Sequence, residues 1–214
     1  MISRAWIVLA ALALARIAFG YQFQTVASMG PGLIPLFHLS YAAFGQLIGA
    51  YMLAGVFAAL PLGVLGRWYG DRWVVAGGLA LMMVGAAVTA LAAGPSGIAM
   101  GRSVAGVGAV AMIVLQGKII ADTFSGRAFM FAIALSVCAY PIGVGLAQIV
   151  LPLIYGALGW QAGFLSGGAI TLVHGHEPDR LGELRYGRTM SHEGEDGITP
   201  YHLSVPRTRE LFRV

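Results

Sequence analysis

The chain has 214 residues, 58% of them hydrophobic and only 10% charged, with a mean hydropathy of +0.79. Soluble domains carry about 25% charged residues, so this composition excludes an ordinary soluble domain and points to a membrane protein. The formal net charge of +4 is no nucleic-acid footprint, because the cations sit at loops or inside apolar runs and no basic stripe is interleaved with aromatics.

The first apolar run starts after Arg4 and passes Ala13-Leu14-Ala15, which resembles a signal-peptide cleavage region. It continues beyond Arg16 to Phe37, which suits a first spanning helix over about 5–30 better than a cleaved leader. Pro31 and Pro35 should end or kink that helix. Arg16, Gly20 and Gln24 are spaced four apart and share a face, with Gln22 close by. A charge near mid-bilayer costs a few kcal/mol, so Arg16 should face a bundle interior or a water-filled cavity. A second helix is predicted over about 41–66. There Gly45, Gly49, Ala50, Ala54 and Ala58 form small faces that admit close approach of another helix. A third, over about 73–93, carries no ionisable group beyond its start and reads as packing. A fourth, over about 98–121, holds Arg102 and Gln116, fourteen residues apart and therefore on nearly one side. Lys118 points elsewhere and can pair with Asp122. A fifth, over about 128–153, has Tyr140-Pro141 as a kink, Gln148 on the face of Tyr140, and Pro152 as its end. The sixth apolar run, 161–173, has only 13 residues. At 1.5 Å per residue it reaches roughly 20 Å, against a hydrocarbon core of about 30 Å.

Two of these segments carry a resemblance. Gly63-Val-Leu-Gly-Arg-Trp-Tyr-Gly-Asp-Arg-Trp73 is a compact charged turn between two spanning runs. It resembles the loop between the second and third helices of the major facilitator superfamily, with Gly63, Leu65, Gly70 and Arg72 on matching positions. Arg67 stands where that family has Asp and Asp71 where it has Arg, so an Arg67–Asp71 contact can survive the exchange. In the fourth helix, Arg102-x-x-x-Gly106-x-Gly108 is similar to the family's Arg-and-glycine motif along the transport path. The resemblance covers about 1–173. It implies the N-terminal six-helix half of a twelve-helix transporter, truncated here, built as a three-plus-three inverted repeat with one buried arginine in each part. It also implies a gating role for the loop of Gly63, Arg67, Gly70, Asp71 and Arg72.

The expected fold is therefore all-α: a polytopic membrane bundle of about six helices over 1–173. Residues 1–173 hold seven Lys/Arg and two acids; the other charges lie in 174–214. With the N-terminus in the cytoplasm, the inner segments carry Arg4, Arg67, Arg72, Arg127 and the Arg-rich tail. The outer turns near 38–40, 94–97 and 154–160 carry no Lys or Arg. Both termini are then cytoplasmic, in a plasma (inner) membrane. The tail, 174–214, reads as a polar cytosolic segment, either flexible or foreign to the membrane body through a frame shift. Its His174, His176, His192 and His202 fit no closed zinc pattern, and no metal or cofactor is expected.

The candidate solute path is lined by Arg16, Gln22, Gln24, Arg102, Gln116 and Tyr140. Two deep cations and no deep carboxylate favour a small anionic solute, which guanidinium donors can grip with two prongs. The bland alternatives are that Arg16 snorkels, Arg102 pins a helix end, the glutamines join helices, and Tyr140 packs. No enzymatic site is expected: Ser166 lies close in sequence to His174, but that histidine sits at the polar edge and no second catalytic feature accompanies the pair. A non-transporting membrane scaffold or an inactive fragment is the competing reading. The expected partners are the bilayer, the solute, and a second copy or a missing C-terminal half.

Overall fold

The computed structural model describes residues 4–175; the side chains of Arg4, Arg67, Asp71, Arg72 and residues 172–175 are outside the description. The tail from 176 onward, with His176, His192 and His202, lies outside the described residues.

Helices account for almost all of the described residues. They are α1 (Arg4–Ser28), α2 (Gly30–Leu36), α3 (Tyr41–Tyr69), α4 (Asp71–Ala90), α5 (Pro95–Thr123), α6 (Gly126–Leu158) and α7 (Trp160–Gly175). The first predicted helix is two helices. Pro31 has no N–H and its ring collides with the preceding turn, so α1 stops before it and α2 starts afresh with the proline in its first turn. Pro152 was expected to end the fifth helix and does not; α6 runs through Pro141 and Pro152 to Leu158. Membrane helices tolerate proline where neighbouring helices and local adjustments take up the freed backbone groups. The predicted loops are also much shorter than expected. Residues 67–72 contain one non-helical residue, Gly70 (φ 87°), and Gly159 (φ 84°) alone separates α6 from α7. A single-residue reversal between helices needs the positive φ that glycine reaches without penalty. Arg67 therefore sits in the last turn of α3 and Asp71 opens α4, an order that suits both helix dipoles. Ser40 caps α3 by accepting from Ala43 N–H at 3.2 Å.

Among the described residues, five helices, α1 and α3 to α6, contain spans long and apolar enough to cross a bilayer. α7 has 16 residues, roughly 24 Å, still short of the core thickness.

The bundle is held by crossings at small residues. α1 runs beside α6 in parallel, and α3 beside α5 in parallel. A Cβ on Gly20 would strike the Tyr140 carbonyl, and one on Gly106 would strike the Tyr51 carbonyl. α4 packs antiparallel on α5 where Gly85 faces Ala105 and Gly78 faces Gly108. Without a hydrophobic force between helices in lipid, such backbone approach is what association relies on. The small face predicted at Gly45 and Gly49 is different: nothing lies within 4 Å of a Cβ at either. The close contact on α3 falls instead at Gly55, against Gly106 and Val110.

These crossings fix the ends. The start of α1, the α3–α4 turn and the α5–α6 turn share one end of the bundle, which gathers Arg4, Arg67, Asp71, Arg72, Lys118, Asp122 and Arg127. At the other end, 37–40, 91–94 and 159 carry no Lys, Arg, Asp or Glu. α3 and α6 leave wide apolar faces bare, as Phe57 (77% exposed), Leu60 (85%), Ile149 (67%) and Leu153 (69%) show.

Candidate functional site

Polar side chains converge on α1. Arg102, on the second turn of α5, is 2% exposed. Its Nη1 donates to the Gln22 carbonyl at 2.7 Å and its Nη2 to the Phe23 carbonyl at 2.9 Å. Its guanidinium lies over the Tyr51 ring, 4.3 Å from the centroid, well inside cation–π range. One side chain thus fastens α5 to α1 and α3. Gln116 does the same four turns further along α5: its Nε2 donates to the Leu12 carbonyl at 3.1 Å and to Ser136 Oγ of α6 at 2.7 Å. The sequence spacing of Arg102 and Gln116 is realised as two clips onto one helix.

Gln22 is buried and equally committed. Its Nε2 donates to the Met82 carbonyl at 3.3 Å and to Thr171 Oγ1 at 3.4 Å, and its Oε1 accepts from Tyr51 Oη at 3.5 Å. It joins α1 to α4, α7 and α3. Thr25 Oγ1 adds a donor to the Gln22 carbonyl at 2.8 Å.

Arg16 differs. It stands near the middle of the Ala5–Ser28 span and is half-buried. It makes no hydrogen bond or ion pair among the described residues, and its Nε, like that of Arg102, is buried without a partner. Its guanidinium carbon lies 5.6 Å from the Phe19 ring centroid, and Tyr140 is its electrostatic neighbour. Gln24 is half-buried on the same helix, and Tyr140 is half-buried on α6. Gln148, two turns beyond Tyr140, is exposed instead. Ser166 bonds to Tyr21 Oη at 3.0 Å and to the Gly163 carbonyl at 2.7 Å.

The two arginines occupy matching frames. Arg16 precedes Gly20 by four residues, and Gly20 crosses the backbone of Tyr140. Arg102 precedes Gly106 by four, and Gly106 crosses the backbone of Tyr51. In one frame the arginine is consumed by carbonyls and a ring; in the other it is uncommitted. The structure therefore separates the sequence-predicted set into clips (Gln22, Arg102, Gln116) and an open group (Arg16, Gln24, Tyr140). Sequence reading passed over Tyr51, Ser136, Thr171, Phe19 and Phe23. Phe19 and Phe23 had a usable signal, being aromatics one turn apart beside Arg16; the hydroxyls had none.

Helices long and apolar enough to cross a bilayer, with a fully buried arginine locking one of them to two others, define a polytopic helical membrane bundle. More narrowly, the chain belongs to the Major Facilitator Superfamily, whose profile matches residues 12–175. It is a transporter-family protein, integral to the membrane, and not an enzyme. It is 30% identical over 125 residues to the inner membrane transport protein YajR of Escherichia coli (strain K12), covering 58% of this chain and 27% of that protein. It is 28% identical over 158 residues to the 3-(3-hydroxy-phenyl)propionate transporter of the same organism, covering 72% of this chain and 38% of that one. Its fold is similar to that of the proton:xylose symporter XylE bound to 6-bromo-6-deoxy-D-glucose, with a TM-score of 0.73 at 16% identity over 82% of this chain and 44% of that one. A bacterial homolog of the human lysosomal transporter Spinster, inward-facing and unoccupied, gives 0.71 at 16% identity over 85% and 43%. The chain thus spans less than half the length of each of these relatives.

Proposed function

We propose that the chain is the N-terminal half of a secondary transporter that moves a small anion across the plasma (inner) membrane by alternating access, rocking against a second half or a second copy. The observation that carries this reading is the contrast between the two arginines. A cation at mid-span costs a few kcal/mol unless something compensates it. Arg102 has two backbone carbonyls and a ring at 4.3 Å; Arg16 has a ring at 5.6 Å and no carbonyl or other hydrogen-bond partner among the described residues. A carboxylate or similar anion would supply the missing charge and accept two parallel donors. Gln24 and Tyr140 would complete that site, while Gln22, Arg102 and Gln116 hold the helices that frame it. Both relatives matched by sequence are named as transporters, and one is named for 3-(3-hydroxy-phenyl)propionate, itself an aromatic carboxylate.

The gathering of charged residues at one end supports a cytoplasmic N-terminus, with that end inside. There the segment of Gly63, Arg67, Gly70, Asp71 and Arg72 would close the inner gate. The test is uptake of radiolabelled benzoate, acetate, phosphate and nitrate by proteoliposomes bearing the full chain. Uptake of at least one anion is expected, and Arg16→Gln should abolish it while leaving helix content unchanged. Undiminished uptake in Arg16→Gln would remove the assignment. The bare apolar faces of α3 and α6 favour a second reading, an inactive half, for which anion binding without uptake is the signature.

A further inference from the structure

The surroundings of Arg16 are aromatic rather than polar. Phe19 lies beneath its guanidinium and is buried, at 3% exposed. The Phe19 ring is 5.3 Å from Tyr140 and 6.3 Å from Phe23, and those two are 6.3 Å from each other. Tyr51 closes the back of the cluster at 6.1 Å from Phe19 and 5.9 Å from Phe23, fixed in place by Arg102. The two buried rings form a floor. The two half-buried rings, Phe23 from α1 and Tyr140 from α6, keep surface free beside an arginine with no hydrogen-bond partner among the described residues.

From this we infer that the solute is an aromatic carboxylate, with its carboxylate on Arg16 and its ring against Phe23 and Tyr140. The inference rests on the anion reading above and adds the nature of the solute's body. A strongly hydrated inorganic anion gives up several water contacts on entry and needs as many donors in return. Here the Arg16 guanidinium, the Tyr140 phenol and the Gln24 amide, set among the rings of Phe19, Phe23 and a Tyr51 whose hydroxyl already donates to Gln22, are a poor exchange for it. A zwitterion would need an acid for its ammonium. The two acidic positions among residues 4–175, Asp71 and Asp122, both lie at helix ends on the charged end of the bundle. An aromatic carboxylate leaves water with one polar group and one apolar face, which matches what the cluster offers. Offset or edge-on ring contact of this kind is worth about 2- to 10-fold in affinity beyond the area it buries.

The discriminating experiment is calorimetric binding to the full chain in lipid nanodiscs, using benzoate, cyclohexanecarboxylate and acetate. All three carry the same charge; the first two differ in having or lacking a π face. Benzoate should bind about 3- to 10-fold tighter than cyclohexanecarboxylate, with acetate weakest. Phe23→Leu and Tyr140→Leu should each shrink the ratio of benzoate to cyclohexanecarboxylate affinity toward unity, with helix content by circular dichroism as the folding control; Tyr140→Phe should keep the ratio. Equal binding of benzoate and cyclohexanecarboxylate, both lost in Arg16→Gln, would overturn the aromatic assignment and leave the anion reading standing. Binding of none of the three to the unaltered chain would defeat both.

Discussion

At the scale of single residues, Arg102 and Arg16 should respond to the same substitution in opposite ways. Arg102→Gln deletes two charge-assisted hydrogen bonds to backbone carbonyls and the stack on Tyr51. In water-soluble proteins such bonds reach about 1.5–3 kcal/mol each, but interhelical hydrogen bonds in membranes average nearer 0.6 kcal/mol. A loss of about 1–3 kcal/mol in bundle stability is therefore expected, read as a lower midpoint in denaturing-detergent titration. Arg102→Lys should recover little, because an ammonium cannot reach two carbonyls with a fixed fork. Arg16→Gln should leave that midpoint unchanged or raise it, because it removes a mid-span cation that has one ring contact and no hydrogen-bond partner among the described residues, and should act on anion binding alone. A midpoint falling as far in Arg16→Gln as in Arg102→Gln would mean that Arg16 is structural. The sequence marked both residues as buried cations; their spacing to Gly20 and Gly106 is the same, so nothing local told them apart.

At the scale of helices, the crossings make a sharper statement than the small-residue pattern did. Gly106→Ala places a methyl on the Tyr51 carbonyl, so α3 and α5 must separate or the residue must distort. Overpacking of this kind costs about 1–3 kcal/mol. Gly49→Ala adds its methyl to open space and should be neutral or stabilising by up to about 1 kcal/mol through helix propensity. Thermal melts of the two variants side by side check this; equal losses would mean that the α3–α5 contact is not at Gly106. Helix existence was well marked in the sequence because hydropathy is summed over about 20 residues. Helix ends were marked poorly. Proline reads as a stop from the rules of soluble proteins, yet Pro152 sits inside α6, whereas Gly70 and Gly159, each a complete reversal, leave almost no loop to read.

At the scale of the molecule, the segregation of charge and the antiparallel packing agree on one charged end and one uncharged end. In a Cys138→Ser background, Tyr69→Cys should react with a membrane-impermeant maleimide only in inverted vesicles, and Ser96→Cys only in intact cells. Reaction of both from one side would contradict the arrangement of the bundle in the membrane. Both replaced positions are exposed, so access is set by the bilayer rather than by packing. The wide apolar faces of α3 and α6 belong to the same scale. In a bilayer they meet lipid or another helical body, and the shared length with the relatives, 27% and 38% of theirs, leaves room for the latter.

The amino-acid order by itself determined that the chain is a membrane bundle, roughly where each span lies, and that the cations of its turns collect at one end. Those properties are sums and alternations along one dimension, and need no knowledge of neighbours. Which arginine is committed and which is open was decided only by the tertiary structure. The partners of Arg102 are the Gln22 and Phe23 carbonyls, groups that every residue carries and that no sequence pattern advertises. Only the packing of α5 against α1 brings them within reach of one guanidinium, while the other has a ring and no described hydrogen-bond partner.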